Sequence, residues 1–182
     1  AIHARPRWSG PDLPSWLGWM LMEAPQLVGF LLCFAFGTRR TQPVALVFLG
    51  MWCFHYVYRV FLYPFLPRSR GLTLSVVFTG FLLNGLFAYL NGRWLFSLGP
   101  AREVSWLSDP RFVGGALLYF FGFTLCASSD ARLRRLRRPG ETAYVLPEGG
   151  AFRWVSCPNY LGELLQWSGW TVATWSLPGH NL

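Results

Sequence analysis

Long apolar runs separated by short polar segments dominate the chain. The runs cover residues 13–36, 44–65, 72–90, 112–129 and 160–177. A helix that crosses a bilayer needs about 20 predominantly apolar residues, and each run has about that length. No internal repeat and no strand-like alternation of apolar and polar residues stands out between them. The pattern predicts an all-α, polytopic transmembrane helical bundle with five visible spans.

Composition strengthens this prediction. The 182 residues are 53% hydrophobic and 13% charged, whereas soluble domains carry about 25% charged residues. The net charge is +8, and every basic residue is arginine. Arginine in the loops of a membrane protein commonly marks the cytoplasmic side. We therefore predict an integral membrane protein in contact with membrane lipid and no binding of nucleic acid. The use of arginine without lysine, together with short loops, favours a bacterial inner membrane.

The cysteines give no sign of a metal site. Cys33, Cys53, Cys126 and Cys157 are scattered in or beside apolar runs and lack the paired spacing of a zinc site. We predict that they are small buried hydrophobic residues and that the protein holds no metal.

Two polar groups lie at membrane depth. Glu23 lies inside the first run, where a carboxyl costs about 3 kcal/mol and indicates function by default. Desolvation favours the neutral acid, so we expect Glu23 to donate a hydrogen bond. In the second run, four residues recur at separations of four, three and four positions: Trp52, Tyr56, Arg59 and Tyr63. These separations predict one shared helical face.

The polar stretch from Asp130 to Trp167 predicts an anionic cofactor at the rim of the membrane. Asp130, Arg134 and Arg137 share one helical face, and guanidinium groups suit phosphate. Asn159 and Glu163 follow one helical turn apart. Their amide and carboxylate suit a polar ring substituent such as a carboxamide. No glycine-rich dinucleotide or phosphate-loop motif is present.

Taken together, these residues resemble the steroid 5α-reductase (3-oxo-5α-steroid 4-dehydrogenase) family. The resemblance extends from Trp19 to Pro178 and rests on the following residues: Glu23–Pro25, His55–Tyr56, Arg59, Tyr63, Arg68, Arg70, Ser129–Asp130, Leu136–Glu141, Tyr144, Pro147, Gly149–Gly150, Val155–Ser156, Asn159–Glu163, Trp167 and Ala173–Pro178.

The resemblance implies NADPH-dependent reduction of the Δ4 double bond of a 3-oxo steroid. It implies that Glu23 and Tyr56 hold the C3 carbonyl oxygen, and that Trp19 and Trp167 line the steroid pocket. It implies cofactor contacts at seven positions: Tyr63, Arg70, Asp130, Arg137, Tyr144, Asn159 and Glu163. The family fold has seven spans. Residues 1–182 are therefore expected to be one membrane-embedded reductase domain without the first and last spans. We also expect a monomer.

The chain departs from the family pattern at Met22, where the family has a glutamine, and at Cys126, where it has an asparagine. Three alternatives therefore stay open at the level of sequence. One is a membrane reductase of another lipid double bond, such as a polyprenoid or a sterol. Another is a membrane methyltransferase, although the arginine cluster suits its sulfonium cofactor poorly. The third is a scaffold without activity, which leaves Glu23 unexplained.

Overall fold

A computed structural model describes residues 10–66, 71–136 and 147–176. Five α-helices make up most of this part of the chain, and they confirm the predicted all-α class. The helices are α1 (Ser15–Ala35), α2 (Pro43–Val57), α3 (Leu74–Arg93), α4 (Pro110–Leu136) and α5 (Pro158–Thr174). Two strands of two residues each, β1 (Asp12–Leu13) and β2 (Leu72–Thr73), pair antiparallel.

Short turns of other helix types follow two of the helices, and the third and fourth helical segments extend beyond the apolar runs that predicted them. A π-turn, Tyr58–Leu62, and a short 3-10 turn, Tyr63–Phe65, follow α2, and a second π-turn, Trp94–Leu98, follows α3. The fourth run was expected to end at Ser129, but α4 continues to Leu136. Arginine and leucine are good helix formers, so the basic segment prolongs the helix instead of ending it.

Four of the helical segments are long and apolar enough to cross a membrane: Ser15–Ala35, Pro43–Phe65, Leu74–Leu98 and Pro110–Leu136. The fifth predicted span forms α5, whose 17 residues rise about 26 Å, slightly less than a hydrocarbon core of about 30 Å. These helices fit a multi-pass membrane protein. The chain divides into two compact units, Ala1–Ala101 and Arg102–Leu182, and the prediction of a single domain stays a prediction.

In the first unit, α1 contacts both α2 and α3. The α1 and α3 helices run in the same direction, because Gln26 bonds Asn84 and Thr38 bonds the Phe96 carbonyl at the same separation along the chain. Small residues let the two backbones approach: a Cβ on Gly29 would lie 3.2 Å from the Cβ of Ala88. Close contact through small residues is the usual basis of helix packing in membranes.

Arg39 ties the end of the first helix to the end of the third. Its guanidinium group donates to the carbonyl oxygens of Leu95 at 3.0 Å and Ser97 at 3.3 Å, and also to that of Gly99. The last carbonyl groups of a helix have no partner inside the helix, so these bonds satisfy them.

In the second unit, α4 and α5 are antiparallel and pack backbone to backbone. Gly115, Gly122, Gly162 and Gly169 lie in the contact, spaced by seven residues on each helix. A Cβ on Gly162 would lie 2.5 Å from the amide nitrogen of Cys126 and 2.7 Å from the carbonyl oxygen of Gly122. No side chain larger than hydrogen fits there, so glycine determines this interface.

Asp109 caps the start of α4. Its Oδ1 accepts a 2.8 Å hydrogen bond from the backbone amide of Arg111, and its carboxylate also pairs with the Arg111 guanidinium. These hydrogen bonds lower the pKa of Asp109 to about 2. The Asp109 carboxylate therefore stays charged well below neutral pH.

The glycine contact between α4 and α5 predicts a position-specific effect of one methyl group. Gly122→Ala should lower the free energy of unfolding by about 1–3 kcal/mol, because the methyl group overpacks the interface. The matched control is Gly114→Ala on the same helix, where a Cβ would meet nothing within 4 Å. The control should leave stability unchanged or raise it by up to about 1 kcal/mol. Thermal unfolding in detergent measures both, and equal melting temperatures would contradict the proposed packing.

Candidate active site

A buried ion pair joins α1 to the end of α2. Glu23 is 6% exposed, and its Oε1 accepts hydrogen bonds from Arg59 Nη2 at 2.6 Å and from Arg59 Nε at 3.1 Å. Arg59 lies on the π-turn Tyr58–Leu62. Such turns widen a helix locally and are frequent at functional sites.

Two aromatic rings enclose the guanidinium group of Arg59. Its Cζ lies 4.4 Å from the ring centroid of Tyr63 and 5.3 Å from that of Trp19. The two rings meet edge to face at 5.3 Å. Cation–π contacts of this kind are stronger where water is excluded. The structure therefore brings Trp19, predicted for substrate, and Tyr63, predicted for cofactor, onto the same ion pair.

Tyr56 lies one helical turn from Arg59 and one turn from Trp52, and it is 4% exposed. The Trp52 indole donates a 3.0 Å hydrogen bond to the Gln26 carbonyl and stacks on Phe30, both of which belong to α1. Trp52 and Arg59 thus both contact α1, as expected for the shared face. Tyr56 stands between them on that face and packs against the rings of Trp52 and His55.

A polar network between α1 and α3 supports the segment that carries Glu23, and the sequence analysis did not predict it. Asn84 Nδ2 donates to the Met22 carbonyl at 2.6 Å, and Gln26 Nε2 donates to Asn84 Oδ1 at 3.0 Å. Gln26 Oε1 is buried without a hydrogen-bond partner among the described residues. The Met22 side chain packs against Gly80, so this departure from the family pattern fills helix contact space. A signal was available in the lone asparagine inside the third apolar run.

A second group of predicted residues lies at one end of the α4–α5 pair. Asp130 lies on α4, and Asn159 and Glu163 lie one turn apart at the start of α5. The close approach of Gly162 to Cys126 fixes this end of the pair, and Cys126 Sγ lies 4.0 Å from Asp130 Oδ2. Asp130, Asn159 and Glu163 therefore lie at the same end of the α4–α5 pair.

The remaining predicted residues are only partly described. Trp167 lies one turn beyond Glu163 on α5, and its ring meets that of Tyr119 edge to face at 6.5 Å. Arg134 of the predicted cofactor face has a buried Nη1 without a hydrogen-bond partner among the described residues. Arg70, Arg137 and Tyr144 lie outside the described residues, so their predicted roles stay predictions. No group of three potential metal ligands occurs within residues 10–66, 71–136 and 147–176.

The Glu23–Arg59 pair changes the expected role of one carboxyl oxygen. A guanidinium group has donors only, so Oε1 acts as an acceptor here and not as the predicted donor. Only Oε2 could donate. A glutamate buried against an arginine could also serve only to hold two helices together, so this geometry alone does not separate an enzyme from the scaffold alternative.

Comparison with known proteins makes that separation. A family model described as 3-oxo-5-alpha-steroid 4-dehydrogenase matches residues 68–181. The chain belongs to this family. Steroid 5-alpha-reductase DET2 of Gossypium hirsutum is 37% identical over 97% of the chain and 70% of its own length. The 3-oxo-5-alpha-steroid 4-dehydrogenase 2 of Sus scrofa is 40% identical over 91% of the chain and 65% of its own length.

A third relative, 3-oxo-5-alpha-steroid 4-dehydrogenase 1 of Mus musculus, is 38% identical over 95% of the chain and 69% of its length. The predicted family and the predicted oxidoreductase class are thus confirmed for this reductase-family chain. Its membership favours the reductase over the methyltransferase and scaffold alternatives. The roles of individual site residues stay predictions.

The Glu23–Arg59 ion pair predicts that the stability cost of replacing Arg59 depends on whether Glu23 is still present. Arg59→Met should lower the free energy of unfolding by about 3–5 kcal/mol, because it leaves the Glu23 carboxylate buried and unpaired. The double variant Glu23→Gln, Arg59→Met should recover most of that loss. Chemical unfolding in detergent measures both, with Arg40→Met, at an exposed position, as the matched control. If the double variant is no more stable than Arg59→Met, the pair is not the stabilising contact.

Proposed function

We propose that this reductase-family protein uses NADPH to reduce the Δ4 double bond of 3-oxo-Δ4 steroids. The product is the 5α-reduced 3-oxo steroid. The proposal rests on family membership and on the names of three relatives, which are steroid 5-alpha-reductases or 3-oxo-5-alpha-steroid 4-dehydrogenases.

One observation of the structure supports it most: a carboxyl group buried at membrane depth beside aromatic side chains. Glu23 is 6% exposed inside an apolar helix, and Trp19 and Tyr63 lie on the arginine that holds it. Aromatic and aliphatic walls with a few fixed polar groups are typical of sites for small apolar ligands. A steroid ketone needs such a site, because its rings are apolar and its carbonyl oxygen needs donors.

Glu23 and Tyr56 are proposed to hold the C3 carbonyl oxygen together. The Tyr56 hydroxyl donates a hydrogen bond. Glu23, whose Oε1 is held by Arg59, is proposed to take up a proton at Oε2 when the ketone binds and to donate through that oxygen. As the Δ4 bond is reduced at C5, negative charge develops on the C3 oxygen of the substrate. Donors placed beforehand stabilise that charge, and removal of one typically costs about 10²–10³ in rate. Protonation at C4 then completes the saturated product.

The residues at the end of the α4–α5 pair fit NADPH. Asn159 and Glu163 offer an amide and a carboxylate for the carboxamide of the nicotinamide ring. A buried guanidinium nitrogen of Arg134 has no partner among the described residues and is suited to a phosphate oxygen. Asp130, Arg137, Arg70, Tyr144 and Tyr63 complete the proposed set. When bound, NADPH supplies the hydride.

With five spans, ten of the sixteen arginines lie on the side of the polar stretch from Asp130 to Trp167 and five lie on the other, which supports a cofactor site that faces the cytoplasm. A related enzyme that reduces a polyprenoid or another sterol double bond would act on a different carbon skeleton. Substrate screening with progesterone-like 3-oxo-Δ4 steroids and with lipids that have no ketone therefore tests the substrate class directly.

The carbonyl-holding pair predicts loss of turnover in two conservative variants. With membranes that contain the protein, NADPH and a 3-oxo-Δ4 steroid, Glu23→Gln and Tyr56→Phe should each lower the rate about 10²-fold or more. Chromatography of the 5α-reduced product measures this. The matched controls, Glu103→Gln at an exposed position and Tyr58→Phe on the same helical segment, should keep the rate within about threefold of the starting protein.

Retained turnover in both Glu23→Gln and Tyr56→Phe would refute the assigned pair. Turnover with S-adenosylmethionine in place of NADPH would refute the reductase itself. Consumption of NADPH only with ketone-free lipids would favour the alternative substrates, a polyprenoid or another sterol double bond, over 3-oxo-Δ4 steroids.

A further inference from the structure

The last turns of α4 carry arginines on two opposite sides. At about 100° per residue, Asp130 and Arg134 fall on one side, and Arg132 and Arg135 fall on the other together with Ser128. The first side belongs to the proposed cofactor site. The second side has no part in that site, and its three residues are exposed.

These exposed residues line a cavity of about 380 Å³, which Ser129 and Ala131 also line. Its opposite wall is the short 3-10 turn that begins at Gly150, and Phe152 contributes a ring to it. A cavity needs about 10–15 Å³ to hold one water molecule, so a phosphate group with part of its ester fits inside this one.

The backbone fixes one arginine of this cavity in place. Arg132 Nη1 donates a 2.9 Å hydrogen bond to the Glu148 carbonyl. The same nitrogen lies 2.9 Å from where a Cβ would stand on Gly149 or Gly150, both of which have positive φ. A side chain there would displace the guanidinium group. Only glycine permits this approach. Arg132 also lines the cavity, and its guanidinium group has further donors that can serve an anion there.

The same side of α4 is the side that α5 leaves uncovered. Gly115, Gly122 and the backbone of Cys126 pack on α5, whereas Leu117 is 69% exposed and Phe121 is 60% exposed. A continuous exposed stripe therefore leads from apolar to cationic residues at spacings of three and four: Leu117, Phe121, Thr124, Ser128, Arg132 and Arg135.

The length of α4 allows the cationic end of this stripe to reach the head-group layer of a membrane. Its 27 residues rise about 40 Å, while the hydrocarbon core is about 30 Å thick. The apolar part of the stripe fits acyl chains. The arginines at its end can reach the depth of lipid phosphates, and guanidinium groups bind phosphate in a bidentate manner.

We propose that this cavity binds the phosphate head group of an anionic phospholipid, with an acyl chain along Leu117 and Phe121. The charge of Arg132 and Arg135 complements the phosphate, and the apolar stripe complements the chain. The site requires a membrane protein but is independent of the proposed use of NADPH.

Lipid binding to the purified protein tests the proposal. The probe is phosphatidylglycerol added to protein in neutral detergent, with retained lipid counted by native mass spectrometry. Each arginine near an anionic lipid strengthens binding about fivefold, so Arg132→Gln, Arg135→Gln should bind about 25-fold more weakly. The matched control, Arg153→Gln, removes one exposed charge outside the cavity and should retain the lipid.

Three further arms identify the source of the phosphate. Phosphatidylcholine and inorganic phosphate should bind weakly, and NADPH affinity should be unchanged in the double variant. Equal retention of phosphatidylglycerol by the double variant would overturn the proposal, as would displacement of the lipid by inorganic phosphate or loss of NADPH affinity.

A measurement on the unaltered protein covers the case in which the double variant does not fold. Phosphatidylglycerol with a photoreactive group on its acyl chain should label the peptide that contains Leu117 and Phe121. Labelling that excludes α4 would overturn the proposal.

Discussion

A carboxylate buried in an apolar helix requires a compensating positive charge beside it, and the contacts of the first unit centre on one such ion pair. Glu23 of α1 pairs with Arg59, which lies on the helical segment that follows α2 and packs along α1. Arg59 lies on the π-turn that follows α2, and its guanidinium group also makes cation–π contacts with Trp19 and Tyr63. Since removal of either partner leaves a buried charge, loss of one partner alone would destabilise the contact between the two helices.

Packing between the helices depends on a different property of the chain. In a bilayer, lipid tails are as apolar as leucine, so helices associate through close backbone contact and not through hydrophobic burial. Glycine provides that contact twice, where α4 meets α5 and where α1 meets α3. The second contact brings Asn84 within reach of the Met22 carbonyl, which supports the turn that precedes Glu23.

The end of α4 combines two chemistries because a helix has two sides. The side with Asp130 and Arg134 meets the proposed cofactor group at the start of α5. The side with Arg132 faces away from α5, where the Gly149–Gly150 turn holds its guanidinium group. A basic run that reads as one motif in the sequence is therefore divided between two ligands, a soluble dinucleotide and a membrane lipid, in our two proposals.

The sequence by itself determined the helices, the membrane environment and the family, since each of these depends on local properties. Run length and hydropathy predicted all five helices within a few residues, except where the third and fourth continued beyond their apolar runs. Glu23 stood out because a carboxyl in a membrane is costly in any fold. The partners were decided by tertiary structure alone. Glu23 meets Arg59, Asn84 meets Met22, and Arg39 meets the carbonyl groups after α3 only because helices distant in sequence lie side by side. Periodicity fixes which side of a helix a residue occupies, but it carries no information about which helix lies against that side.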